Sequence, residues 1–239
     1  GDKVYPNVTE ACLKIFKHYG IGVSMPSGLA CCGIPALASG DADSFKKMAA
    51  YNLDILGKLE FDYVVTACAS CTETIEQFWP RYAEGAQKAT AEKISAKTLD
   101  ISAFLVDVIG LEKPAQARVG AESGRREKVT YHDSCHLAKS LGVRRQPREL
   151  VKANPECELI EMREPDTCCG CGGSFTLTHY DISKKIGGRK RENIVASGAD
   201  TVACGCPACM MQISNMLALN GDEVKVKHVA ELYADSLDK

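Results

Sequence analysis

The chain has 239 residues, of which 45% are hydrophobic and 25% are charged, with a net charge of −2 and 13 cysteines. This composition is that of a soluble globular protein, and the length suffices for one large or two small domains. The charge balance excludes a nucleic-acid footprint, and no apolar run approaches the roughly 18 residues of a membrane-spanning helix. With a polar start and no secretory signal, we expect a cytoplasmic protein without direct membrane insertion, peripheral at a membrane only through partner subunits.

The first half of the chain predicts helices, a strand and two cysteine motifs. Cys12 lies in TEACLKIF, an amphipathic helix in which a free thiol packs as a small hydrophobe. A CCG motif follows at residues 31–33. The apolar run FDYVVTA at 61–67 predicts a β-strand. It ends just before the C-x-x-C motif at 68–71, and TETIEQFW then predicts a helix.

The segment between the halves is charged, rich in Ala and Gly, and lacks apolar periodicity. It reads EKPAQARVGAESGRREK, from Glu112 to Lys128, and it predicts a linker. We accordingly place a first domain at 1–112, a linker at 113–127 and a second domain at 128–239.

The second half repeats the plan of the first. KVTYHDSC predicts a strand with Cys135 just past its end, and Cys157 opens another strand as a structural residue. CCG recurs at 168–170, and ADTVAC predicts a strand in which Cys204 is an ordinary strand residue. The C-x-x-C motif at 206–209 then opens a helix, because proline suits a first helical position and an apolar face follows.

The match between the halves is an internal repeat. The CCG motif recurs after 137 positions, the C-x-x-C motif recurs after 138, and LDISAFLVDVIG resembles KHVAELYADSL near the end. Cys135 has no counterpart, because the offset places one just before Gly1. We therefore expect that the first domain is truncated at its N-terminus, although the first half is also consistent with a design that never had this cysteine.

Alternating strands and helices predict an α/β fold of two pseudo-symmetric repeats, each a small parallel sheet with flanking helices. The cysteines then lie at strand C-termini and helix N-termini, where ligands gather and where free N–H groups stabilise thiolates. Paired cysteines and C-x-x-C spacing favour metal ligands over disulfides. Five cysteines in the pattern C-x32-C-C-x36-C-x-x-C exceed the four ligands of zinc and favour an iron–sulfur cluster. A structural zinc module is the alternative from another class.

This pattern resembles the cysteine-rich CCG domain family. That family includes the B subunit of heterodisulfide reductase and the iron–sulfur subunits of glycolate oxidase and of bacterial lactate-utilisation dehydrogenases. The resemblance covers essentially the whole chain and implies one or two [4Fe-4S] clusters, of cubane or non-cubane form. The ligands that it implies at the second site are Cys135, Cys168, Cys169, Cys206 and Cys209. Those that it implies at the first site are Cys31, Cys32, Cys68 and Cys71, with the fifth absent and occupancy therefore open.

Five further residues are candidates for the surroundings of the clusters. His132 and His136 flank Cys135 and are able to donate hydrogen bonds to sulfur or to cap strand ends. Gly33 and Gly170 leave the backbone beside each pair bare, so that it can approach an inorganic core. Cys171 lies close to the second pair, but the first repeat has no cysteine there.

The sequence contains no phosphate loop or dinucleotide-binding fingerprint of its own. The resemblance therefore implies an electron-transfer subunit of a lactate or glycolate dehydrogenase complex, with flavin-containing or ferredoxin-type partner subunits. The leading alternative is a heterodisulfide-reductase-type subunit that cleaves a disulfide at a non-cubane cluster.

Overall fold

The structure is a computed structural model, and it describes residues 4–111 and 125–238. The predicted α/β class is confirmed, because all strand pairs in this part of the chain are parallel and helices cover the sheets. In the first half the elements are α1 (Pro6–His18), α2 (Ile34–Ala38), α3 (Ala42–Leu56), β1 (Val64–Thr66), α4 (Ala69–Glu73), the π-helix π1 (Thr74–Phe78), α5 (Trp79–Tyr82), α6 (Ala86–Ser95), β2 (Thr98–Asp100), α7 (Ile101–Ala103) and π2 (Phe104–Ile109).

The second half is richer in strands. Its elements are β3 (Glu127–His132), π3 (His136–Ser140), α8 (Arg145–Ala153), β4 (Cys157–Leu159), α9 (Phe175–Thr178), α10 (Tyr180–Ala196), β5 (Thr201–Cys204), α11 (Pro207–Ala218), β6 (Lys225–His228), α12 (Val229–Asp235) and a 3₁₀ turn (Ser236–Asp238). Apart from residues 125–127, the predicted linker lies outside the described residues. The predicted domain boundaries therefore stay predictions.

Two parallel sheets carry the fold. The first half forms the pair β1-β2, and the second half forms a four-stranded sheet in the order β4-β3-β5-β6. β3 and β5 lie at its centre, and β5 is buried along its whole length, as its apolar sequence predicts. The last register row of this sheet aligns three strand ends, His132, Cys204 and His228. Residues in register on neighbouring parallel strands lie on the same face, so these three side chains lie on one side of the carboxyl edge.

The two halves share one hydrophobic cluster. Helix α1 buries Val8, Ala11 and Ile15, a spacing that places all three on one helix face. That face packs against α12 at the opposite end of the chain, where Asn7 also donates a hydrogen bond to Glu231. In the second half, α8 contacts both α12 and the first half's α7 and π2. The repeats are therefore folded as one body around a common core.

Each of the strands β1, β3 and β5 is followed by a cysteine motif just past its carboxyl end. Cys68 follows β1 by two residues, Cys206 follows β5 by two, and Cys135 follows β3 by three. This confirms the predicted placement of the motifs past strand ends. Within the described parts of the chain, no helix has both the length and the apolar character needed to span a membrane.

Candidate metal centre

Each C-x-x-C motif begins a helix with its first cysteine. Cys68 is the N-cap of α4 and Cys206 the N-cap of α11, with nearly equal backbone angles (φ/ψ −154°/109° and −142°/113°). Their carbonyls accept the first helical hydrogen bonds, from the N–H groups of Thr72 and Met210. The second cysteine of each motif lies in the first turn. Both motifs therefore face the free N–H groups of a helix start, which favour negative charge on sulfur.

The two C-x-x-C motifs meet at the junction between the halves. Cys68 of the first motif contacts Cys206 of the second through their thiols. The backbone N–H of Ala69 donates to the carbonyl oxygen of Gly205 at 3.0 Å. Across the same junction, the Ser70 hydroxyl lies 3.6 Å from the Cys206 sulfur. Sequence reasoning placed these motifs in separate sites, whereas the structure makes the two sites contiguous.

Seven of the nine predicted ligand cysteines form one unbroken series of thiol contacts. All thirteen cysteines are free thiols. In order of contact the series is Cys32, Cys71, Cys68, Cys206, Cys209, Cys169 and Cys168. The two remaining predicted ligands lie at its flanks: Cys31 interacts electrostatically with Cys32, and Cys135 with Cys169 and Cys206. The structure thus brings together every ligand that the sequence predicted.

Donors and acceptors alternate along this series. The thiols of Cys32 and Cys68 donate to Cys71 and lower its pKa to about 4. Contacts from Cys209 and Cys68 lower the pKa of the fully buried Cys206 in the same way. A third low-pKa thiol is Cys169, which contacts from Cys168 and Cys209 stabilise as a thiolate, with a smaller electrostatic contribution from nearby His132. The protein thus stabilises negative charge on three sulfurs in a buried cluster, and thiolates are the form that binds metals.

The two CCG loops are held in place by different groups. In the first half, the indole N–H of Trp79 donates to the carbonyl oxygen of Cys32 at 2.9 Å, and the Asn52 side chain donates to that of Cys31 at 3.0 Å. In the second half, the fully buried Lys190 donates to the carbonyls of Glu164 and Pro165, just before the pair. Lys190 is thus buried although it belongs to the charged run RKREN at 189–193, and burial lowers the pKa of its amine to about 8.

The glycines of the CCG motifs serve the protein's own packing. Both are in the left-handed region, with φ +96° at Gly33 and +89° at Gly170. A β-carbon at Gly170 would lie 2.6 Å from the Ser183 carbonyl oxygen of α10, and one at Gly33 would lie 2.7 Å from the Phe45 ring. The space that these glycines leave is therefore filled by protein and is not room for an inorganic core. One expected contact is present, because the Gly170 N–H donates to the Cys168 sulfur at 3.3 Å.

The three remaining candidates differ in their surroundings. His136 bonds through Nδ1 to the buried carboxylate of Glu73 on α4, so it connects the halves beside Cys135. Cys171 is buried and lies outside the series of thiol contacts, and burial raises the pKa of its thiol. His132 is 1% exposed, and among the described residues neither of its ring nitrogens has a partner at hydrogen-bond geometry.

Sequence reasoning underrated one residue near the second site. Cys204 was assigned to the strand alone, yet its sulfur lies within 4.8 Å of a ring nitrogen of His132 and of the Cys209 sulfur. It also accepts the N–H of Cys206 at 3.3 Å. A signal was available, because the first repeat has Thr66 at this position. The substitution of a hydroxyl by a thiol marks a difference between the repeats.

The donor set suits a soft metal cofactor. Thiolates and imidazole bind iron–sulfur clusters and zinc, and several sulfurs at one site exceed the four ligands of a single zinc ion. The unpaired nitrogens of His132 agree with a missing ligand, since buried polar groups nearly always have partners. The residues present therefore fit an iron–sulfur cofactor.

Comparison with known proteins shows that one domain family matches the chain at two places. A family profile described as "Cysteine-rich domain" (CCG) matches residues 1–76 and 129–214. A fumarate reductase (CoM/CoB) subunit of Methanothermobacter marburgensis is 33% identical over 230 residues, which cover 95% of this chain but only 42% of that protein. Lactate utilization protein A of Bacillus subtilis is 31% identical over 232 residues, which cover 97% of this chain and 94% of that protein. An uncharacterized iron-sulfur protein of Methanococcus maripaludis is 31% identical over 211 residues, or 88% of this chain and 38% of its own length.

Proposed function

The chain belongs to the cysteine-rich CCG domain family, and from this premise we propose that it is an iron–sulfur electron-transfer subunit of a multi-subunit oxidoreductase. The complex would be most like a lactate or glycolate dehydrogenase. Relatives named lactate utilization protein A match it over nearly their full length. The relative from Methanothermobacter is more than twice as long as the matched region, so it is the less complete analogue.

The observation that carries this proposal is the unbroken series of seven thiols across both repeats. A structural zinc site needs four ligands and no second group beside it. A site for electron transfer gains from adjacent redox groups, because electrons then pass between them inside the protein. The contact between Cys68 and Cys206 supplies such a junction.

The cofactor that we propose is one or two [4Fe-4S] clusters, of cubane or non-cubane form. Such a group accepts and releases single electrons when it is bound. The residues that would hold it at the second site are Cys135, Cys168, Cys169, Cys206 and Cys209, and at the first site Cys31, Cys32, Cys68 and Cys71. The two helix starts and the Gly170 N–H would stabilise the negative sulfurs.

The exposed members of the two pairs define where electrons would enter and leave. Cys31 and Cys168 are exposed, whereas their neighbours Cys32 and Cys169 are buried within the series of thiols. The hydroxyls of Ser39 and Ser174, which follow the two CCG motifs, are 2.9 Å apart. This contact brings together the segments that follow the two motifs, and we propose that a flavin-containing or ferredoxin-type partner subunit docks beside it.

Anaerobic purification tests the proposal directly. We expect a brown protein with iron and acid-labile sulfide in equal amounts, and an EPR signal on reduction. Cys169→Ser should remove iron from the second site, whereas the matched control Cys157→Ser, at a buried thiol outside the series, should retain full iron. A colourless protein with stoichiometric zinc and no sulfide would instead identify the zinc module and refute the proposal.

A second function is favoured by one observation, the name of the relative from Methanothermobacter, which includes the pair CoM/CoB. On this hypothesis the chain is a heterodisulfide-reductase-type subunit, and a disulfide substrate binds at the exposed cysteines. Thiol added to the oxidised, cluster-loaded protein should then change the EPR signal. A signal that no thiol perturbs leaves electron transfer as the function.

A further inference from the structure

The second site contains a buried imidazole that the five-cysteine motif does not include. His132 ends β3 and lies in the same register row as Cys204 at the end of β5. A ring nitrogen of His132, the Cys204 sulfur and the Cys209 sulfur all lie within 4.8 Å of one another. Two ligands of one metal atom, with bonds of about 2.0 Å to nitrogen and about 2.3 Å to sulfur, lie at most about 4.3 Å apart. The observed group is therefore close to the spacing of a shared metal atom.

No described protein group forms a hydrogen bond of normal geometry with the ring of His132. His228, two strands away in the same row, uses Nδ1 to accept the N–H of Ala230 as a helix cap. The Cys204 sulfur accepts the Cys206 N–H and lies 3.4 Å from the Ser134 hydroxyl. Neither ring nitrogen of His132 has a comparable bond, although the residue is 1% exposed. A nitrogen so fully excluded from water needs a partner, and the adjacent partners are metal-binding thiols.

The first repeat does not offer the same donors. At the position of Cys204 it has Thr66, whose hydroxyl is 2.7 Å from that of Thr72 and 3.3 Å from the Cys68 carbonyl oxygen. This side chain is satisfied by protein groups, and an uncharged hydroxyl is a poor ligand for a soft metal. The combination of an imidazole with two neighbouring thiols is therefore present at the second site and absent from the described residues of the first.

We propose that His132 is a nitrogen ligand of the second site, where it would hold the metal together with Cys204 and Cys209. This inference rests on the proposed iron–sulfur function and adds a ligand outside the five-cysteine motif. A neutral imidazole ligand adds no negative charge to the group, unlike a thiolate at the same position, so we expect the loss of this ligand to shift the reduction potential.

The test is nitrogen hyperfine spectroscopy on the anaerobically loaded, reduced protein. We expect strong coupling to a directly bound nitrogen, and this coupling should change when only the histidines are labelled with ¹⁵N. His132→Leu should abolish the coupling and shift the potential of the second site, while the protein retains its iron. The matched control His136→Gln, on the other side of Cys135, should retain both the coupling and the potential.

Each alternative outcome is decisive. A loaded cluster with no nitrogen coupling, or with only the weak coupling of a hydrogen-bonded histidine, overturns the inference and leaves electron transfer intact. Coupling that persists in His132→Leu, or that is lost in His136→Gln, also overturns it. If His132→Leu does not fold, retention of the coupling in both His136→Gln and His228→Asn assigns it to His132, since these are the other histidines near the site. Absence of iron and sulfide from the wild-type protein refutes the proposed function itself.

Discussion

Replacing Gly170 by alanine tests what the glycine of the second CCG motif does. Gly170 has φ +89°, and an L-residue in this left-handed region costs roughly 1–2 kcal/mol. The new methyl group would also lie 2.6 Å from the Ser183 carbonyl oxygen and 2.9 Å from the Gly187 nitrogen, both backbone atoms of α10. Backbone cannot rotate away as a side chain does, so overpacking adds about 1–3 kcal/mol. We expect Gly170→Ala to lower the free energy of unfolding by about 2–5 kcal/mol.

The matched control for this variant is Gly173→Ala in the same loop. Gly173 also has a positive φ, +63°, but a β-carbon there would meet nothing within 4 Å. Its cost is therefore only conformational, about 1–2 kcal/mol. Thermal unfolding of the metal-free proteins measures both, since 1 kcal/mol corresponds to about 2–4 °C for a chain of this size. Equal shifts in the two variants would refute the reasoning, because the contact with α10 would then contribute nothing.

Three further predictions concern the groups that hold the site. Burial raises the pKa of Asp100 to about 6. The free energy of unfolding of the wild type therefore falls as the pH rises from about 4 to about 6. Urea titrations should show that the stability of Asp100→Asn relative to wild type increases by about 3 kcal/mol between pH 4 and pH 7. Arg148→Leu should cost about 3–5 kcal/mol, because it leaves the buried carboxylate of Asp133 without its bidentate partner, whereas Arg189→Leu, at an exposed ion pair, should cost less than about 1 kcal/mol. Trp79→Phe should cost about 1–3 kcal/mol or more, because the carbonyl of the first CCG pair loses its donor.

Each of these predictions has a result that would contradict it. A pH-independent difference for Asp100→Asn would show that this carboxyl ionises normally in the folded protein. Equal costs for Arg148→Leu and Arg189→Leu would remove the distinction between a buried and an exposed carboxylate partner. A Trp79→Phe protein with unchanged stability and iron content would show that the indole N–H is dispensable for the first pair.

Local sequence patterns predicted the parts of the fold that depend on local interactions. The strand before Cys68, the strand before Cys206 and the helix that begins at Pro207 are all where their patterns place them. The apolar runs and the proline act over a few residues, so no distant contact is needed to interpret them. The same holds for Cys12 and Cys157, which pack in or against the shared hydrophobic cluster as predicted.

The features that the sequence did not reveal are long-range. The contact between Cys68 and Cys206 joins residues far apart in the chain, and the repeat offset gives their equivalence but not their proximity. Lys190 lies in a charged run that is typical of a solvated surface, and only the fold places carbonyls around its amine. The role of Gly170 was assigned to an inorganic core because the sequence cannot show that α10 passes 2.6 Å away.

The packing of helix α1 of the first half on helix α12 of the second half indicates how a two-repeat chain can arise. In a symmetric dimer, a residue on the two-fold axis meets its own copy, as equivalent Cys68 and Cys206 meet here. Helix α1 likewise packs on the far half of the molecule, as an arm exchanged between two subunits would. Such an arrangement is expected of a duplicated chain whose ancestor was a symmetric dimer, and Thr66 is the first-repeat counterpart of Cys204. Two separately expressed pieces, ending at residue 111 and starting at residue 125, should therefore recombine into a single folded particle.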